Sequence, residues 1–158
     1  MDQDEITGPA IVTRSLTKRF GKITAVSDLS LEVARGEIFG FLGLNGAGKT
    51  TTIRMLLDLL RPDSGEAFIL GHHCRLQGIQ ARALVGYLPG EMGLYGDLSG
   101  QQLLDLFAGL GAREVRRDYQ AQLLERLELP VSDLHRKLRT YSTGMKRKLG
   151  LIQAFQSD

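Results

Sequence analysis

The stretch "GLNGAGKTT", from Gly43 to Thr51, decides how the rest of the chain is interpreted. It contains a glycine, four further residues and then Gly-Lys-Thr, which is the spacing of a loop that binds the phosphates of a nucleotide. Backbone N–H groups can hold a polyanion only where side chains do not block the loop, and Gly43, Gly46 and Gly48 meet this condition. Gly43–Thr51 is called the phosphate loop below.

Polar side chains at the end of the phosphate loop suit a magnesium-bound triphosphate. A helix predicted from about Gly48 to Leu60 points its positive end at the phosphates. Lys49 can reach the β- and γ-phosphates, Thr50 can bind a Mg²⁺ ion that bridges them, and Thr51 adds a hydroxyl near the α-phosphate. A chance match in a glycine-rich turn is the alternative. The loop follows an apolar strand and opens a helix, however, and this context favours nucleoside-triphosphate binding. The predicted binding residues of the loop are Gly43, Asn45, Gly46, Ala47, Gly48, Lys49, Thr50 and Thr51.

Apolar patterning predicts a mixed α/β core that runs through about Pro89. Strands are predicted at Ile11–Ser15, Leu29–Val33, Ile38–Leu42, Glu66–Gly71 and Leu84–Pro89. The segment Ile38–Leu42 ("IFGFL") is apolar at consecutive positions, which suits a strand buried on both faces. After Gly90 the pattern becomes helical, with helices predicted from Ser99, over about Val115–Leu127 and from Ser142.

Bulk composition limits the classes of function. The chain has 158 residues, of which 42% are hydrophobic and 24% charged, as in an ordinary globular domain. A net charge of +2 is too small to indicate nucleic-acid binding. The single cysteine, Cys74, excludes an internal disulfide and fits a reducing cytosol. The sequence predicts no signal peptide and, for lack of an apolar run of roughly 18 to 20 residues, no membrane span of its own.

The sequence from Leu16 to Gly71, "LTKRFGKITAVSDLSLEVARGEIFGFLGLNGAGKTTTIRMLLDLLRPDSGEAFILG", closely resembles the nucleotide-binding domain of ABC transporters. The resemblance covers nearly all of the chain from Ile11 onward. It implies an α/β P-loop NTPase fold, that is, an ABC-type ATPase core with an antiparallel β subdomain and a helical subdomain, incomplete at the C-terminus. ATP and Mg²⁺ are the implied cofactors, and the phosphate loop corresponds to the Walker A motif.

The resemblance also implies a domain organisation. Residues 1–10 would form a flexible arm, and residues 11–158 a partial nucleotide-binding domain. Within the latter, residues 11–89 would be the α/β core, residues 90–140 the Q-loop and helical subdomain, and residues 141–158 the signature turn and its helix.

Phe20 occupies the position of an aromatic residue that stacks on adenine in this family. Stacking on the face of a ring holds a base without hydrogen bonds to its edge. By the same resemblance, Val26 would line the adenine pocket. Packing in the core is the alternative for Phe20.

A further motif of the family lies at Tyr141-Ser142-Thr143-Gly144-Met145, where the family has Leu-Ser-Gly-Gly-Gln before a helix. We call Tyr141–Met145 the signature turn. In the family this turn contacts the γ-phosphate bound by the opposite subunit, so the resemblance implies a trans contact from Ser142, Thr143, Gly144 and Met145. Thr143 and Met145 depart from the family pattern, and a simple helix cap is the alternative.

The Q-loop, "GYLPGEMGLYGDLSG", has Gly90 where the family has glutamine. Glycine has no side chain to sense Mg²⁺ or the attacking water. Glu91 is a candidate catalytic substitute, and a solvated surface glutamate is the alternative. "PGE" together with "YSTGM" resembles the multidrug and ABC-2-type exporter branch of the family.

Three catalytic landmarks of the family lie beyond the signature helix: the Walker B aspartate, the catalytic glutamate and the switch histidine. The sequence as given ends before them, so we expect a truncated fragment that binds ATP weakly and hydrolyses it poorly. Without the strand that carries them, the apolar edge of Ile38–Leu42 would be uncovered.

The resemblance implies the ATP-binding subunit of an exporter, which couples ATP binding and hydrolysis to transport through a separate membrane permease. The implied partners are that permease and a second nucleotide-binding domain, with a homodimer expected. The implied location is cytoplasmic, at the inner face of the membrane. A soluble ABC ATPase without a transporter and a non-hydrolysing nucleotide-binding fragment are the alternatives. A metal site at "GHHC" and nucleic-acid binding by the basic runs are not expected, because both patterns suit solvated or extended segments better.

Overall fold

The computed structural model describes residues 8–89, 95–111 and 114–157. The chain forms two compact units, Met1–Leu84 and Val85–Asp158. The first unit contains an antiparallel sheet and the phosphate loop, and the second contains the longer helices and the signature turn.

Within the described residues of the first unit, the sheet has four strands in the order β2-β1-β3-β4. They are β1 (Ile11–Phe20), β2 (Ile23–Val33), β3 (Ser64–Ile69) and β4 (His72–His73). Every neighbouring pair is antiparallel, and a turn at Gly21 and Lys22 joins β1 to β2. The strands predicted near Ile11, Leu29 and Glu66 therefore form, and the first two are longer than the apolar pattern indicated.

Helix α1 (Lys49–Leu56) follows the phosphate loop but ends earlier than the predicted boundary at Leu60. Asp58 has a φ of 54°, which is left-handed backbone that a continuing helix does not allow. The N–H groups of Leu59 and Leu60 then bond back to the carbonyl of Arg54. Met55 and Leu57 are buried in the first unit, together with Leu16, Val26, Val33, Ala67, Ile69, Cys74 and Ala81.

The strand predicted at Ile38–Leu42 does not form. Ile38 is 101% exposed and Leu42 is 90% exposed, so the expectation of burial on both faces is wrong. A strand exists only through hydrogen bonds to a neighbour, and none of the described strands pairs with this segment. Most of its apolar side chains are exposed, as expected for this segment without a neighbouring strand, but the segment is not a sheet edge.

The strand predicted at Leu84–Pro89 is also wrong. Val85–Pro89 has no regular secondary structure. Within the second unit this segment lies instead against the helix that contains Ala154. The close approach is shown at Gly86, where a Cβ would come closer than 3.0 Å to the carbonyl of Ala154.

The histidines of β4 and the neighbouring cysteine have structural contacts. The Nδ1 atom of His73 accepts hydrogen bonds from the N–H groups of Arg75 (3.1 Å) and Leu76 (3.3 Å). Cys74 is buried, and its burial raises the pKa of the thiol to about 11. Across the described ranges, no group of three His, Cys, Asp or Glu side chains is arranged to hold a metal ion.

Three helices form the framework of the second unit: α3 (Gly100–Leu110), α4 (Arg117–Arg126) and α5 (Thr143–Phe155). The short helix α2 (Gly78–Ala83) belongs to the first unit, and 3₁₀ turns at Val131–His135 and Leu138–Thr140 lie between α4 and α5. The helices predicted after Gly90 are confirmed. Side-chain caps mark the start of two of them: Ser99 and Gln102 form a reciprocal capping box at α3, and the hydroxyl of Ser142 caps α5. Helix α4 has no side-chain cap. Their core consists of Leu103, Leu104, Leu124, Leu129, Leu134, Leu138, Tyr141, Leu149 and Ile152.

Two buried glutamines join the C-terminal end of α5 to the other helices. The Nε2 group of Gln156 donates to the carbonyl of Leu104 (3.1 Å), and its Oε1 accepts from the Nε2 group of Gln120 (2.8 Å). The backbone carbonyl of Gln156 accepts from the N–H of Arg116 (3.1 Å). Because buried polar groups are costly when unpaired, these bonds specify one arrangement of the three helices.

Tyr141 joins the beginning of the signature turn to the core. Only 5% of Tyr141 is exposed, and its hydroxyl donates a 2.6 Å hydrogen bond to the carbonyl of Asp133. Burial, followed by the nearby charge of Asp133, raises the pKa of the phenol. The hydroxyl fits because position 100 is glycine: a Cβ at Gly100 would lie closer than 3.0 Å to it.

Substitution of Gly65 would test the close approach of the β3 backbone to the β1 backbone. Its φ is 82°, and a Cβ would come closer than 3.0 Å to the carbonyls of Arg14 and Ser15. Gly71 has a φ of 81° but no neighbour within 4 Å of a Cβ, so it is a matched control. We expect Gly71→Ala to lower the free energy of unfolding in urea by about 1–2 kcal/mol. Gly65→Ala should cost about 1–3 kcal/mol more. Equal losses would show that the carbonyls do not constrain this position.

Gly100 and Gly109 provide a matched pair within α3. Gly100→Ala should displace the Tyr141 hydroxyl and lower the free energy of unfolding by about 1–3 kcal/mol. Gly109 has no neighbour within 4 Å of a Cβ, so Gly109→Ala should raise the free energy of unfolding by up to about 1 kcal/mol through helix propensity. Urea titration measures both, and stabilisation by both substitutions would contradict the contact with Tyr141.

Candidate functional site

The phosphate loop is fixed against the sheet at Gly48. This residue is buried with a φ of 86°, and a Cβ would come closer than 3.0 Å to the carbonyl of Ala25. The same Cβ would lie 3.0 Å from a methyl group of Val26. Glycine is therefore required twice, by the backbone conformation and by the close approach to β2. Gly46 has the same φ of 86°, and the N–H of Ala47 bonds to the carbonyl of Leu44 (3.1 Å) to close the turn.

The interior of the phosphate loop is lined by backbone and by one ammonium group. The Nζ of Lys49 donates to the carbonyls of Gly43 (2.6 Å) and Leu44 (2.8 Å), which places the charge inside the loop. A Cβ at Gly43 would project to 3.1 Å from the Cβ of Ala47 and to 4.0 Å from the Nζ of Lys49. Any larger residue at position 43 would thus fill the space beside the ammonium. This space suits a polyanion.

The start of α1 adds donors to the same space. The first N–H groups of a helix have no partner within the helix, and the α1 cap, Gly48, supplies no side-chain acceptor. The first turn carries no acidic side chain that would repel an anion. Thr50 is exposed and Thr51 is partly buried at the start of this helix.

Thr52 is a loop anchor that sequence reasoning missed. It is 2% exposed, and its hydroxyl donates a 3.0 Å hydrogen bond to the carbonyl of Gly48. The bond holds the end of the phosphate loop on the first turn of α1. The signal was present in the sequence, since a third threonine follows Gly-Lys at a position that faces the core.

Phe20 and Val26, the two residues expected to contact the adenine base, have different environments. Phe20 ends β1 and is 50% exposed, so the alternative of core packing is wrong. Val26 is buried beside Gly48 on β2, and it pairs with Lys18 at the hairpin end that also contains Phe20. The sheet thus brings Phe20, Val26 and the phosphate loop into one unit of the chain.

The signature turn is exposed where a ligand would need it. Ser142, Thr143 and Gly144 are exposed, and the Ser142 hydroxyl accepts from the N–H of Met145 (3.2 Å). Met145 packs partly against the core of the second unit. As in α1, no acidic residue lies in the first turn of α5. The turn is therefore a helix cap whose remaining surface is open.

Gly90 and Glu91, the positions at issue in the Q-loop, lie outside the described residues. Farther along the same loop, Tyr95 packs edge-on against Phe107 with ring centroids 5.8 Å apart. Tyr95 and Leu98 both contact the core of the second unit.

Comparison with known proteins agrees with this geometry. The family profile described as "ABC transporter" matches residues 26–158. This range includes Val26, the phosphate loop, Thr52 and the signature turn. The chain is 43% identical over 153 residues to the daunorubicin resistance ATP-binding protein DrrA3 of Streptomyces coeruleorubidus, covering 94% of the chain and 48% of the relative. It is 38% identical over 146 residues to the doxorubicin resistance ATP-binding protein DrrA of Mycobacterium tuberculosis, covering 90% and 44%.

Among solved structures, the ATP-binding subunit of an ABC transporter superposes with a TM-score of 0.80 at 27% identity, covering 93% of the chain and 62% of that structure. The chain thus spans less than half the length of both drug-resistance relatives. Within the described part of the chain, no helix has the length and apolar character to span a bilayer. The fold is the α/β P-loop fold of ABC-type ATPases, and the chain belongs to the ABC transporter family as part of an ATP-binding domain.

Proposed function

We propose that this chain is the nucleotide-binding part of the ATP-binding subunit of an ABC exporter. In the whole protein, ATP binding and hydrolysis would drive transport through a separate membrane permease. The observation that carries the proposal is the phosphate loop, in which glycines, the Lys49 ammonium and the free end of α1 surround one space. The drug-resistance names of the relatives support the direction of transport.

Phosphate binding rests on the backbone between Asn45 and Thr51 together with the Lys49 side chain. The N–H groups at the start of α1 would donate to phosphate oxygens, and Lys49 would neutralise the charge of the β- and γ-phosphates. The carbonyls of Gly43 and Leu44 already hold the ammonium within the loop, so little side-chain entropy is lost on binding. Thr50 would hold Mg²⁺, whose charge offsets that of the phosphate oxygens.

Base binding rests on Phe20, whose ring is half exposed at the end of β1. Adenine would stack on its open face, and Val26 would border the pocket beside Gly48. Stacking contributes affinity without base-edge hydrogen bonds. Selection of adenine over other bases is therefore expected to be weaker than selection of a triphosphate over a monophosphate.

The exposed signature turn is proposed to act on a nucleotide held by a second copy of the domain. Ser142, Thr143 and Gly144 are the exposed members, and the N-terminal end of α5 favours negative charge. The partners would be a second nucleotide-binding domain and the permease, at the cytoplasmic face of the membrane. Glu91 stays a candidate for the role of the family's Q-loop glutamine.

Removing the loop ammonium should weaken ATP binding. Lys49→Ala should raise the dissociation constant of Mg-ATP at least about tenfold, because hydrogen bonds to charged groups each contribute about 1.5–3 kcal/mol. Isothermal titration measures the change, with Lys22→Ala, an exposed lysine of the same unit, as the control. Unchanged affinity in Lys49→Ala would refute the phosphate assignment.

A charge at Gly144 should oppose the trans contact without altering the chain's own phosphate loop. A Cβ there would meet only the Ser142 hydroxyl, at 3.8 Å, so a side chain fits. Gly144→Glu should reduce ATP-dependent dimerisation, measured by analytical ultracentrifugation, more than the uncharged Gly144→Gln. ATP binding by the monomer should be unaltered. Equal dimerisation of Gly144→Glu and the unaltered chain would exclude a phosphate contact at this turn.

A further inference from the structure

The ammonium of Lys18 lies over one face of the Phe20 ring. The Nζ atom is 5.6 Å from the ring centroid, within the range of a cation–π interaction. Lys18 and Phe20 are two positions apart on β1, and their side chains meet although the pairing of β1 with β2 is irregular between Lys18 and Arg19. The Lys18 side chain is only 14% exposed, whereas Phe20 is 50% exposed. The lysine thus lies over one face of the ring, and half of the Phe20 residue remains exposed.

Asp63 fixes the lysine in this position. Its Oδ1 atom is 3.0 Å from the Nζ of Lys18, and its Oδ2 atom accepts a 2.6 Å hydrogen bond from the N–H of Arg19. Both carboxylate oxygens are therefore occupied by consecutive residues of β1. The backbone N–H of Arg19, followed by the Lys18 ammonium, holds the pKa of Asp63 below its usual value.

Asp63 itself is held on the sheet. Its N–H donates to the carbonyl of Thr17 (2.9 Å), and the next residue, Ser64, pairs with Thr17 in the ladder between β1 and β3. The turn that ends the α1 region thus reaches back to the end of β1 and sets the position of Lys18. Lys18 thus connects Asp63 to Phe20: its ammonium forms an ion pair with Asp63 and lies over the Phe20 ring.

We infer that Lys18, held by Asp63, is a positioning residue for base recognition. It covers one face of Phe20 and restricts the ring to the orientation in which the other face receives the nucleotide base. This inference rests on the proposed nucleotide binding at the phosphate loop. Ordering the ring before binding reduces the conformational entropy that stacking would otherwise cost. Lys18 acts on the base only through Phe20, so it should have no effect on a ligand that lacks a base.

Tripolyphosphate is the probe that separates this role from a structural one. It carries the same phosphate chain as ATP but has no base, and it should bind the phosphate loop alone. The experiment measures dissociation constants of Mg-ATP and Mg-tripolyphosphate for the full chain and for Lys18→Met, Lys18→Arg and Phe20→Ala. We expect Lys18→Met to weaken Mg-ATP about two- to fivefold, the size of a cation–π contact of about 0.5–1 kcal/mol, and to leave Mg-tripolyphosphate unchanged.

Two further variants sharpen the result. Lys18→Arg keeps both the charge over the ring and the pair with Asp63, and it should restore the affinity for ATP. In the Phe20→Ala background, Lys18→Met should have no additional effect, because its only route to the base has been removed. Lys22→Met removes the same charge from the adjoining exposed turn and should change neither affinity.

Each other outcome overturns the inference. Equal weakening of ATP and tripolyphosphate by Lys18→Met would assign the lysine to stability of the unit. An unaltered ATP affinity in Lys18→Met, with tripolyphosphate still bound, would refute the positioning role and leave the proposed function intact. Failure of the unaltered chain to bind either ligand would refute the proposed function and the inference with it.

Discussion

The close approach of Gly48 to the carbonyl of Ala25 is the constraint on which the rest of the first unit depends. It brings the end of the phosphate loop into contact with β2, so the loop, the start of α1 and Val26 have fixed positions relative to each other. The Thr52 hydroxyl completes the connection by bonding the carbonyl of Gly48. The Lys49 ammonium and the N-terminal end of α1 are directed into one space. This geometry makes the interior of the phosphate loop electropositive. Under the proposed function, affinity for phosphates would be a consequence of this backbone packing.

Local signals made part of the fold predictable from sequence. Caps such as Ser99 and Ser142 act within one helical turn, so the residues that define them are adjacent in the sequence. The segment Ile38–Leu42 shows the opposite case. Its apolar run predicts a buried strand, but strand formation depends on a pairing partner that a local pattern does not contain. The end of α1 was misplaced for a related reason, because left-handed backbone at Asp58 is not evident from residue type.

The candidate site divides in the same way. Residues of the phosphate loop could be proposed from sequence because a nucleotide requires them at fixed spacing, and their role in binding stays a prediction. The support of Phe20 could not, because Lys18 and Asp63 are separated by 45 positions in sequence and meet only through the pairing of β1 with β3. Tyr141 is similar: its buried hydroxyl depends on the space left at Gly100, which lies in helix α3, 41 positions earlier in the sequence. Motifs identify the residues that touch a ligand, whereas the residues that hold them are identified by tertiary contacts.

The hydrogen bonds of the two buried glutamines depend on the number of residues in α5. Ser142 defines its first turn, and Gln156 joins its last turn to the carbonyl of Leu104 and to Gln120. Each residue of an α-helix turns the chain by about 100° and advances it by about 1.5 Å. Losing or gaining one residue between these ends would rotate Gln156 away from both partners and break both buried hydrogen bonds. We therefore expect the helix that follows the signature turn to tolerate substitution at its exposed positions better than the insertion or deletion of one residue.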